Sequence, residues 1–472
     1  METIDLGNGR DVPVASGVGK NDLILAYNEA THKLQYIKME ALNNSGYACR
    51  RWNTRMSTPR GEAVGNLEYL SNLPGMLGLG GYLVQKNHSR RKLSPTDHRK
   101  FATGEPAALD GSMGDYMWGW GTPFYYAFWV DGDYYYEAIS LKPIPGRENY
   151  KIPVASTSAL GVSVMDRTTN ELVSVVSDDP RYRGGNNDAS LDSKFNTQLG
   201  RAASSMTAEA FGTAARKKGA GFEAYWYTFP AIIGILTRVI MGTRNIQEAV
   251  NPSKDSNGLY QGGCGAGVSN AGAWWNEQYK YYPFIPTSVG VEKGDFTGEI
   301  PYDVQGPSGK LQTVNIPCFF GLKNFFGCMY RLERGALINK VAGGAGDYYV
   351  VEKMSTSYSM SSLSGLKKVG QVPATANKGW EYIKVLSMQN LAHFPTQTGA
   401  TSSTDYSDGF YNDNASSGLR VPSRGGHAGY GSDAGVEYLY ASSGVTHSSA
   451  YYGSPLCEVD GDWDTNPIIV SA

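Results

Sequence analysis

The sequence predicts a loop-rich fold built mainly from short β-strands, with at least one helix. Among its 472 residues, Gly (58) and Tyr (32) are frequent, whereas Gly averages about 7% of ordinary chains. Glycine favours turns, and large flat tyrosine side chains can hold irregular connections together. From residue 101 onwards, short apolar segments are broken repeatedly by Gly, Asp and Asn, which is typical of strands joined by turns.

Residues 1–40 are predicted to form a separate attachment or oligomerisation segment that contains a β-hairpin. Apolar and polar residues alternate over 23–27 and again over 34–36, with the polar residues 28–33 between them. This pattern is typical of two strands and their turn. Because an isolated hairpin is only marginally stable in water, we expect it to pack against copies of itself or against a partner.

Residues 41–100 are predicted to be a connecting region, and they contain a basic cluster. The cluster comprises Lys86, His88, Arg90, Arg91, Lys92, His98, Arg99 and Lys100. It lacks the interleaved aromatic residues of a nucleic-acid site. Two interpretations remain: a solvated loop, which we favour, and a contact surface for an acidic partner.

Two further elements are predicted after residue 101. Apolar residues at 232, 235, 236, 239 and 240 follow the spacing of one helical face, so we expect an amphipathic helix that packs on the core, with Arg238 on or near its other face. A second hairpin is predicted from apolar residues at 162–164 and 172–176, which flank the polar segment 166–171. The stretch 396–435, crowded with Ser, Gly, Asp, Asn and Thr, is expected to be functional or disordered.

The composition disfavours several functions. A net charge of -2 with 18% charged residues gives no overall attraction to nucleic acid. The most apolar stretch, 229–241, has 13 residues and includes Arg238, whereas crossing a bilayer takes about 20; the N-terminal METIDLGNGR lacks the pattern of a secretion signal. Five cysteines without a CxxC pair predict free buried thiols, with neither a disulfide framework nor a zinc site.

Signatures of catalysis are weak as well. The sequence has no HExxH, GxSxG or GxxxxGK[ST] motif, and its six histidines show no ligand spacing with Asp, Glu or Cys. Two facing carboxylates, as in a glycosidase, are not excluded by sequence alone. Asp460, Asp462 and Asp464 alternate but lack the further spacing of an EF-hand, so we favour a solvated tail over a calcium site. We expect no metal and no cofactor.

Five segments, taken in order, resemble the C-type-lectin-like domains of phage tail and fibre proteins. They are DGSMGDYMW (110–118) with the following TPFYYAFWVDGDYYYEAIS, MGTRNIQEAV, FTGEIPY (296–302), FFGLKNFFGCMYRLERGALI (319–338) and GLRVPSRGGHAGYGSDAGVEYLYASSGVTHSSAYYGSPLC (418–457). The resemblance implies an α+β, C-type-lectin-like fold with mixed twisted β-sheets and long loops over residues 101–472, often assembled as a homotrimer. Two features depart from the family: YYGSPLC stands where Gly-Phe-Arg is usual, and Pro422 would remove a ladder hydrogen bond unless it lies at a sheet edge.

The resemblance implies a non-enzymatic phage virion fibre protein that binds a host cell-surface glycan or protein. Its partners would be copies of itself and, through the N-terminal segment, other virion proteins, with neither nucleic acid nor membrane insertion. A structural head fibre or capsid decoration protein is the alternative. A formylglycine-generating oxidoreductase, which shares the fold, is a remote third, because no cysteine lies between Arg424 and Cys457 to complete a two-sulfur copper site.

The residues after Arg424 are predicted to form the binding face. They are His427, Tyr430, Tyr440, Ser442, Ser443, His447, Ser448, Ser449, Tyr451 and Tyr452. Tyrosine gives rigid amphipathic contact area while serine and glycine give adaptable hydrogen bonding, a mixture that antibody paratopes also use. The alternative is that Tyr440, Tyr451 and Tyr452 are strand residues partly packed in the core. Arg424 itself is expected to be structural and to bond backbone carbonyls.

Overall fold

The computed structural model describes residues 46–182, 184, 202–250, 287–306, 309–376, 379–449 and 451–471, together with the backbone of four N-terminal strands. Those four strands are β1 (Thr3–Asp5), β2 (Asp11–Pro13), β3 (Leu23–Asn28) and β4 (Lys33–Lys38). β1 pairs with β2 and β3 with β4, both antiparallel. The β3–β4 pairing confirms the hairpin predicted from the alternation over 23–36.

The larger body of the chain is rich in β-strands, as predicted. Its first strands are β5 (Ala48–Asn53), β6 (Glu62–Gly65), β7 (Gly80–Val84), β8 (Arg90–Ser94), β9 (Asp97–Phe101), β10 (Asp115–Trp120), β11 (Phe124–Asp131), β12 (Tyr134–Ser140), β13 (Glu148–Ile152), β14 (Ala155–Ser158), β15 (Val164–Asp166) and β16 (Glu171–Val173). The later strands are β17 (Phe222–Ala224), β18 (Gly298–Gly306), β19 (Gly309–Phe319), β20 (Leu322–Lys323), β21 (Tyr330–Leu332), β22 (Ala336–Lys340), β23 (Gly346–Val350), β24 (Lys367–Val372), β25 (Trp380–Ser387), β26 (Phe394–Thr398), β27 (Gly409–Tyr411), β28 (Gly418–Arg424), β29 (Leu439–Gly444), β30 (Tyr452–Gly453), β31 (Leu456–Val459) and β32 (Ile468–Ile469). The α-helices are α1 (Leu67–Leu77), α2 (Ala208–Arg216), α3 (Thr228–Met241) and α4 (Ile246–Val250), and 3-10 turns lie at Pro180–Tyr182, Val291–Lys293, Gln389–Leu391 and Ala428–Asp433.

Three large twisted sheets organise these strands. The six-stranded sheet has the order β32-β13-β11-β12-β5-β6, and the seven-stranded sheet has the order β17-β31-β14-β10-β7-β8-β9. The ten-stranded sheet runs β24-β23-β22-β28-β29-β27-β25-β26, with β21 joining β28 and β30. The pairs β21–β30 and β27–β29 are parallel and the others antiparallel, so this sheet is mixed. Smaller sheets are β18-β19-β20 and the hairpin β15–β16, which confirms the second predicted hairpin.

Residues before and after position 101 share two of these sheets. β5 pairs with β12, and β7 pairs with β10 along the register from Gly80 to Val84. The proposed connecting region 41–100 therefore contributes central strands to both sheets. The stretch 396–435 likewise contains β27 and β28 with parts of other elements, so it is not irregular throughout.

Helix α3 confirms the predicted periodicity but is buried on every side. Ile232, Ile235, Leu236 and Val239 are fully buried, and so is Arg238, although an amphipathic helix would leave it on the wetter face. The helix residues around Arg238 are mostly apolar on every face, which is typical of a helix in a protein core. The guanidinium of Arg238 is neutralised by two buried carboxylates, those of Glu137 (Nε to Oε1, 3.0 Å) and Glu437.

The basic cluster over 86–100 is not a solvated loop. It forms strands β8 and β9, and most of its charges lie in ion pairs within the chain. The pairs are Lys86–Glu171, His88–Glu458, Arg90–Glu458, Arg91–Glu105, Lys92–Asp295, His98–Asp295 and Arg99–Asp97. Because these acids already neutralise the cluster, it offers little charge to an acidic partner.

Four of the five cysteines, Cys49, Cys318, Cys328 and Cys457, are free and buried, as predicted, while Cys264 lies outside the described residues. Within the described residues, no group of three His, Cys, Asp or Glu side chains is arranged to hold a metal ion. Over the same residues, no helix combines the length and apolarity needed to span a membrane.

The acidic residues near the end of the sequence are engaged with neighbouring residues. Asp462 accepts hydrogen bonds from the backbone N–H (3.0 Å) and the hydroxyl (2.7 Å) of Ser355. Asp464 pairs with Lys353 at 3.3 Å. Between them, Trp463 is fully buried. The segment is thus anchored to the body of the chain, unlike the solvated tail favoured from sequence.

Candidate binding site

A cluster of aromatic side chains, which we call the tyrosine cluster, lies where β21, β27, β29 and β30 meet. It comprises Tyr330, Trp380, Tyr411, His427, Tyr430, Tyr438, Tyr440, His447, Tyr451 and Tyr452. Tyr330 is at its centre, because six other rings of the cluster have centroids between 4.8 and 6.3 Å from its own. The cluster therefore brings together six of the predicted residues, His427, Tyr430, Tyr440, His447, Tyr451 and Tyr452.

The inner layer of the cluster consists of Tyr330, Tyr438 and Tyr452, whose exposed fractions are 1%, 0% and 3%. The Tyr330 hydroxyl donates to the hydroxyl of Tyr430 at 2.8 Å and lies 3.0 Å from that of Tyr438. The Tyr452 hydroxyl lies 3.0 Å from the hydroxyl of Ser443. These bonds satisfy the buried phenols, as buried polar groups require, and fix the rings in place.

The outer layer is half-buried and consists of Trp380, Tyr411, His427, Tyr430, Tyr440, His447 and Tyr451. Tyr411 and Tyr440 stack with centroids 4.6 Å apart and nearly parallel planes. His427 lies over Tyr430, with centroids 4.2 Å apart, and Trp380 contacts the same ring at 4.9 Å. The outer layer thus presents aromatic surface and hydroxyls to solvent from a rigid base.

Parallel strand pairing explains why these rings meet. Tyr411 is directly opposite Tyr440 in the β27–β29 pair, and Tyr330 is opposite Tyr452 in the β21–β30 pair. Opposite residues of paired strands place their side chains on the same face within contact distance. The four residues are distant in sequence, so strand register alone makes them neighbours.

Two residues predicted for the binding face, Ser443 and Tyr452, are buried and do not belong to the exposed surface. Ser443 is only 4% exposed and Tyr452 only 3%. Both side chains lie on a covered face of the sheet, and their hydroxyls are hydrogen-bonded to each other. They support the surface from beneath. This confirms for Tyr452 the alternative of a strand residue packed in the core. Tyr440 in β29 also fits it, since it is half-buried and packs against the core, whereas Tyr451 is half-buried but lies outside a strand.

The remaining predicted serines border the tyrosine cluster. Ser448 is exposed, and Ser449 is half-buried in the same turn, where its carbonyl accepts the backbone N–H of Tyr452 at 3.1 Å. Ser442, also half-buried, accepts the backbone N–H of Asp413 (2.8 Å) and a bond from Lys340 Nζ (3.3 Å). These serines add hydroxyls at two edges of the aromatic surface.

Burial favours the neutral form of several titratable members of the tyrosine cluster. It lowers the pKa of His427 to about 3 and also lowers the pKa of His447. It raises the pKa of Tyr430 and Tyr440. A buried group favours its neutral form because charge is poorly solvated there, so the surface is neutral at physiological pH and suits a ligand with little charge.

Arg424 anchors the strand beside the cluster. Its Nε donates to Glu333 Oε1 at 2.6 Å, and its Nη2 donates to the backbone carbonyl of His393, which agrees with the structural role expected from sequence. Burial alone would lower the pKa of this arginine, but the Glu333 carboxylate outweighs it and the pKa is raised. The guanidinium is therefore a permanent cation held inside the sheet.

Pro422 lies in the interior of the ten-stranded sheet, since β28 is flanked by β22 and β29. At this interior position the proline forgoes a ladder hydrogen bond, as expected for a proline away from a sheet edge. The β28–β29 register shifts between Val421 and Ser423, so a β-bulge accommodates the residue that has no N–H to donate.

Sequence reasoning missed Tyr330, Trp380, Tyr411 and Tyr438. Tyr330, Trp380 and Tyr411 precede Arg424, and no spacing in the sequence links them to the predicted face. Tyr438 follows Arg424 and lies two residues before Tyr440, which was predicted. The available signal was the alternation of Tyr438 with Tyr440 and of Trp380 with Tyr382. The contacts of Tyr330 and Tyr411 arise across strands and leave no local pattern.

In comparisons with known proteins, a scan against protein-family models gave no match, and a search of curated proteins found no significant match.

Proposed function

We propose that this protein is a phage virion fibre protein whose C-terminal region binds a host cell-surface glycan or protein through the tyrosine cluster. One observation carries the proposal: half-buried aromatic rings with hydroxyls lie over a buried, hydrogen-bonded inner layer. Such preorganised surfaces bind with little loss of side-chain entropy, because tyrosine has few rotatable bonds. The family resemblance of residues 101–472 supplies the fibre context.

The chemistry of the cluster suits an uncharged or weakly charged ligand. Aromatic faces provide apolar contact for sugar rings or apolar side chains, while the hydroxyls of Tyr440 and Ser448 can exchange hydrogen bonds with a polar rim. Each such contact is weak alone. Several copies in a fibre, as in the homotrimer that the resemblance implies, would raise avidity by about 10²- to 10⁴-fold.

The N-terminal strands support a role in attachment to the particle. In the described strands, β1 pairs with β2 and β3 with β4 in two separate two-stranded sheets. Two-stranded sheets gain stability from packing against a further surface. Other virion proteins or copies of the chain would provide it, both in a receptor-binding fibre and in the alternative, a head fibre or decoration protein.

The cysteines support a binding role over a formylglycine-generating activity. Burial raises the pKa of Cys49 and Cys457 to about 12 and of Cys318 to about 11. Thiolates are the metal-binding and nucleophilic form, and such pKa values disfavour them. These three thiols are therefore structural members of the core.

Adsorption competition tests the proposal. The purified full chain should bind host cells and block phage attachment, and Tyr440→Ala or Tyr451→Ala should weaken both by about tenfold, as expected for loss of a central aromatic contact. Tyr134→Ala, which removes an equally half-buried tyrosine from the six-stranded sheet, is the matched control. Unchanged adsorption by both cluster variants would show that the binding site lies outside the tyrosine cluster. A full chain that neither binds nor blocks, but is found on the phage head, would favour the decoration protein.

A further inference from the structure

A buried lysine, an aspartate and a glutamate meet away from the tyrosine cluster. Lys218 Nζ lies 2.8 Å from Asp115 Oδ2, and the side chains are only 5% and 6% exposed. Glu171 Oε2 is 4.0 Å from the same amine, with its side chain 15% exposed. The amine of Lys218 thus lies beside two carboxylates, and its own side chain and that of Asp115 are largely buried.

The backbone fixes these three side chains from different elements. Asp115 begins β10 and is opposite Val84 of β7, while Glu171 begins β16. Lys218 follows the end of α2, and its N–H donates to the carbonyl of Ala215 at 3.0 Å. Since strands and a helix end hold the groups, little conformational freedom separates the amine from the carboxyl carbon, and such proximity lowers a reaction barrier.

The hydrogen bonds leave one carboxylate oxygen of each acid facing the amine. Asp115 Oδ1 accepts the backbone N–H of Ser174 at 2.9 Å, so Oδ2 faces Lys218. Glu171 Oε1 pairs with Lys86 at 2.6 Å, so Oε2 remains on the side of Lys218. Glu171 therefore offers a second carboxylate oxygen on the side of the amine, 4.0 Å from Nζ.

The three side chains line a cleft of about 460 Å³ whose walls are partly apolar and partly charged. Val84, Val173 and Val175 provide the apolar part. Burial raises the pKa of Asp115, although the ion pair with Lys218 opposes this shift. The cleft gives a released water molecule a way out.

We propose that Lys218 and Asp115 condense into a side-chain amide that cross-links β10 to the end of α2. A proton first passes from Nζ to the Asp115 carboxylate, giving amine and carboxylic acid. Nζ then forms a bond to Cγ, Glu171 takes a proton from the nitrogen and delivers it to the departing hydroxyl, and one water leaves. Atoms balance without an oxidant or a cofactor, and the inference does not depend on the proposed function.

Another ion pair of the chain provides an internal contrast. Lys92 Nζ lies 3.1 Å from Asp295 Oδ2, but its side chain is 28% exposed. Asp295 Oδ1 already accepts bonds from the Gly81 N–H (2.8 Å) and lies 2.9 Å from His98 Nε2. This carboxylate already accepts several donors and the lysine is partly open to water, so we expect no amide at this pair.

Intact-mass spectrometry of the denatured full chain tests the proposal. The wild-type mass should be lower than the sequence mass by one water, and peptide mapping should give a branched peptide that joins the segments containing Lys218 and Asp115. Lys218→Arg keeps the positive charge but cannot form this amide, and it should restore the full mass. Glu171→Gln should slow or abolish linkage, whereas Lys92→Arg should leave the water loss unchanged.

Each remaining outcome bears on the inference. An Asp115→Asn chain that loses ammonia in place of water would support it, because an amide donor gives the same product. A wild-type chain with the full sequence mass, or a branched peptide that joins other residues, would overturn it. Circular dichroism of Lys218→Arg tests whether the variant is folded, and the full mass of a folded variant is then attributed to the missing amine. Complete linkage in Glu171→Gln would overturn the role of that acid.

Discussion

Replacing Tyr330 with Phe tests whether the tyrosine cluster has a supporting layer and a contacting layer. The substitution keeps the ring, with its contacts to six neighbours, and deletes only the hydroxyl. That hydroxyl bonds Tyr430 and Tyr438 at 2.8 and 3.0 Å. We expect lower stability with unchanged binding, because Tyr330 is only 1% exposed and does not reach a ligand.

The magnitude follows from the fate of the two partners. Each buried neutral hydrogen bond contributes about 1 kcal/mol net, and a buried group left without a partner costs about 1–3 kcal/mol. Tyr430 is half-buried and can turn its hydroxyl to water, while the fully buried Tyr438 keeps a hydrogen bond with Tyr430. The free energy of unfolding should therefore fall by about 1–2 kcal/mol, the net contribution of the bonds that are lost.

Urea denaturation of the purified chain measures this loss, with host-cell adsorption measured in parallel. Tyr134→Phe, at a half-buried tyrosine elsewhere, should change the free energy by no more than about 0.5 kcal/mol. A loss below that size for Tyr330→Phe would refute the hydrogen-bonded inner layer. Weakened adsorption by a folded Tyr330→Phe chain would instead show that the hydroxyl belongs to the contact surface.

Three further predictions follow from buried ionisable groups. Arg238→Met should lower the free energy of unfolding by about 3–5 kcal/mol, because Glu137 and Glu437 lose the cation that they share. Urea denaturation at about pH 7 and 5 should show that part of this loss is recovered in acid. An unchanged free energy of unfolding would contradict the ion network. Burial lowers the pKa of Lys323 from 10.5 to about 8, so the unfolded state binds more protons between these values and the contribution of this residue to stability should rise with pH over that window. The buried thiols, whose pKa values are raised to about 11–12, act in the opposite direction, so the measurement is the difference in melting temperature between the wild type and Lys323→Met. This difference should grow in favour of the wild type from about pH 8 to 10, and a constant difference would contradict the shift. Since burial lowers the pKa of His427 to about 3, adsorption should stay constant between about pH 5 and 8, and a transition near the ordinary histidine pKa of about 6.5 that disappears in His427→Gln would contradict its neutrality.

Local patterns predicted the local elements of the fold well. The hairpins β3–β4 and β15–β16 and helix α3 follow from periodicity and turn residues within a single stretch of sequence. The burial of Arg238 and the pairing of the basic strands did not follow, because their acidic partners are far away in sequence. Glu137 and Glu437, for example, contact Arg238 but lie about 100 and 200 residues from it in sequence. The composition around Arg238 therefore gives no sign that its charge is neutralised.

The candidate site, like the fold, was predictable only where the signal lies within a single stretch of sequence. The Tyr-, Ser- and His-rich segment after Arg424 marked most of the outer layer, since composition alone distinguishes it. Its centre, Tyr330, was not predicted as a site residue, because it reaches the cluster through parallel pairing with Tyr452. The alternation of strand residues predicts two opposite faces but not which face is covered, so the burial of Ser443 required the positions of neighbouring strands.

The position of β31 has a consequence for synthesis on the ribosome. This strand, Leu456–Val459, lies between β14 and β17 and pairs with both. A nascent chain that has not yet reached residue 456 leaves both neighbours with open edges, and open edges promote aggregation. The seven-stranded sheet therefore cannot be completed before this strand has been synthesised, and a chain truncated ahead of residue 456 would expose the edges of both neighbours.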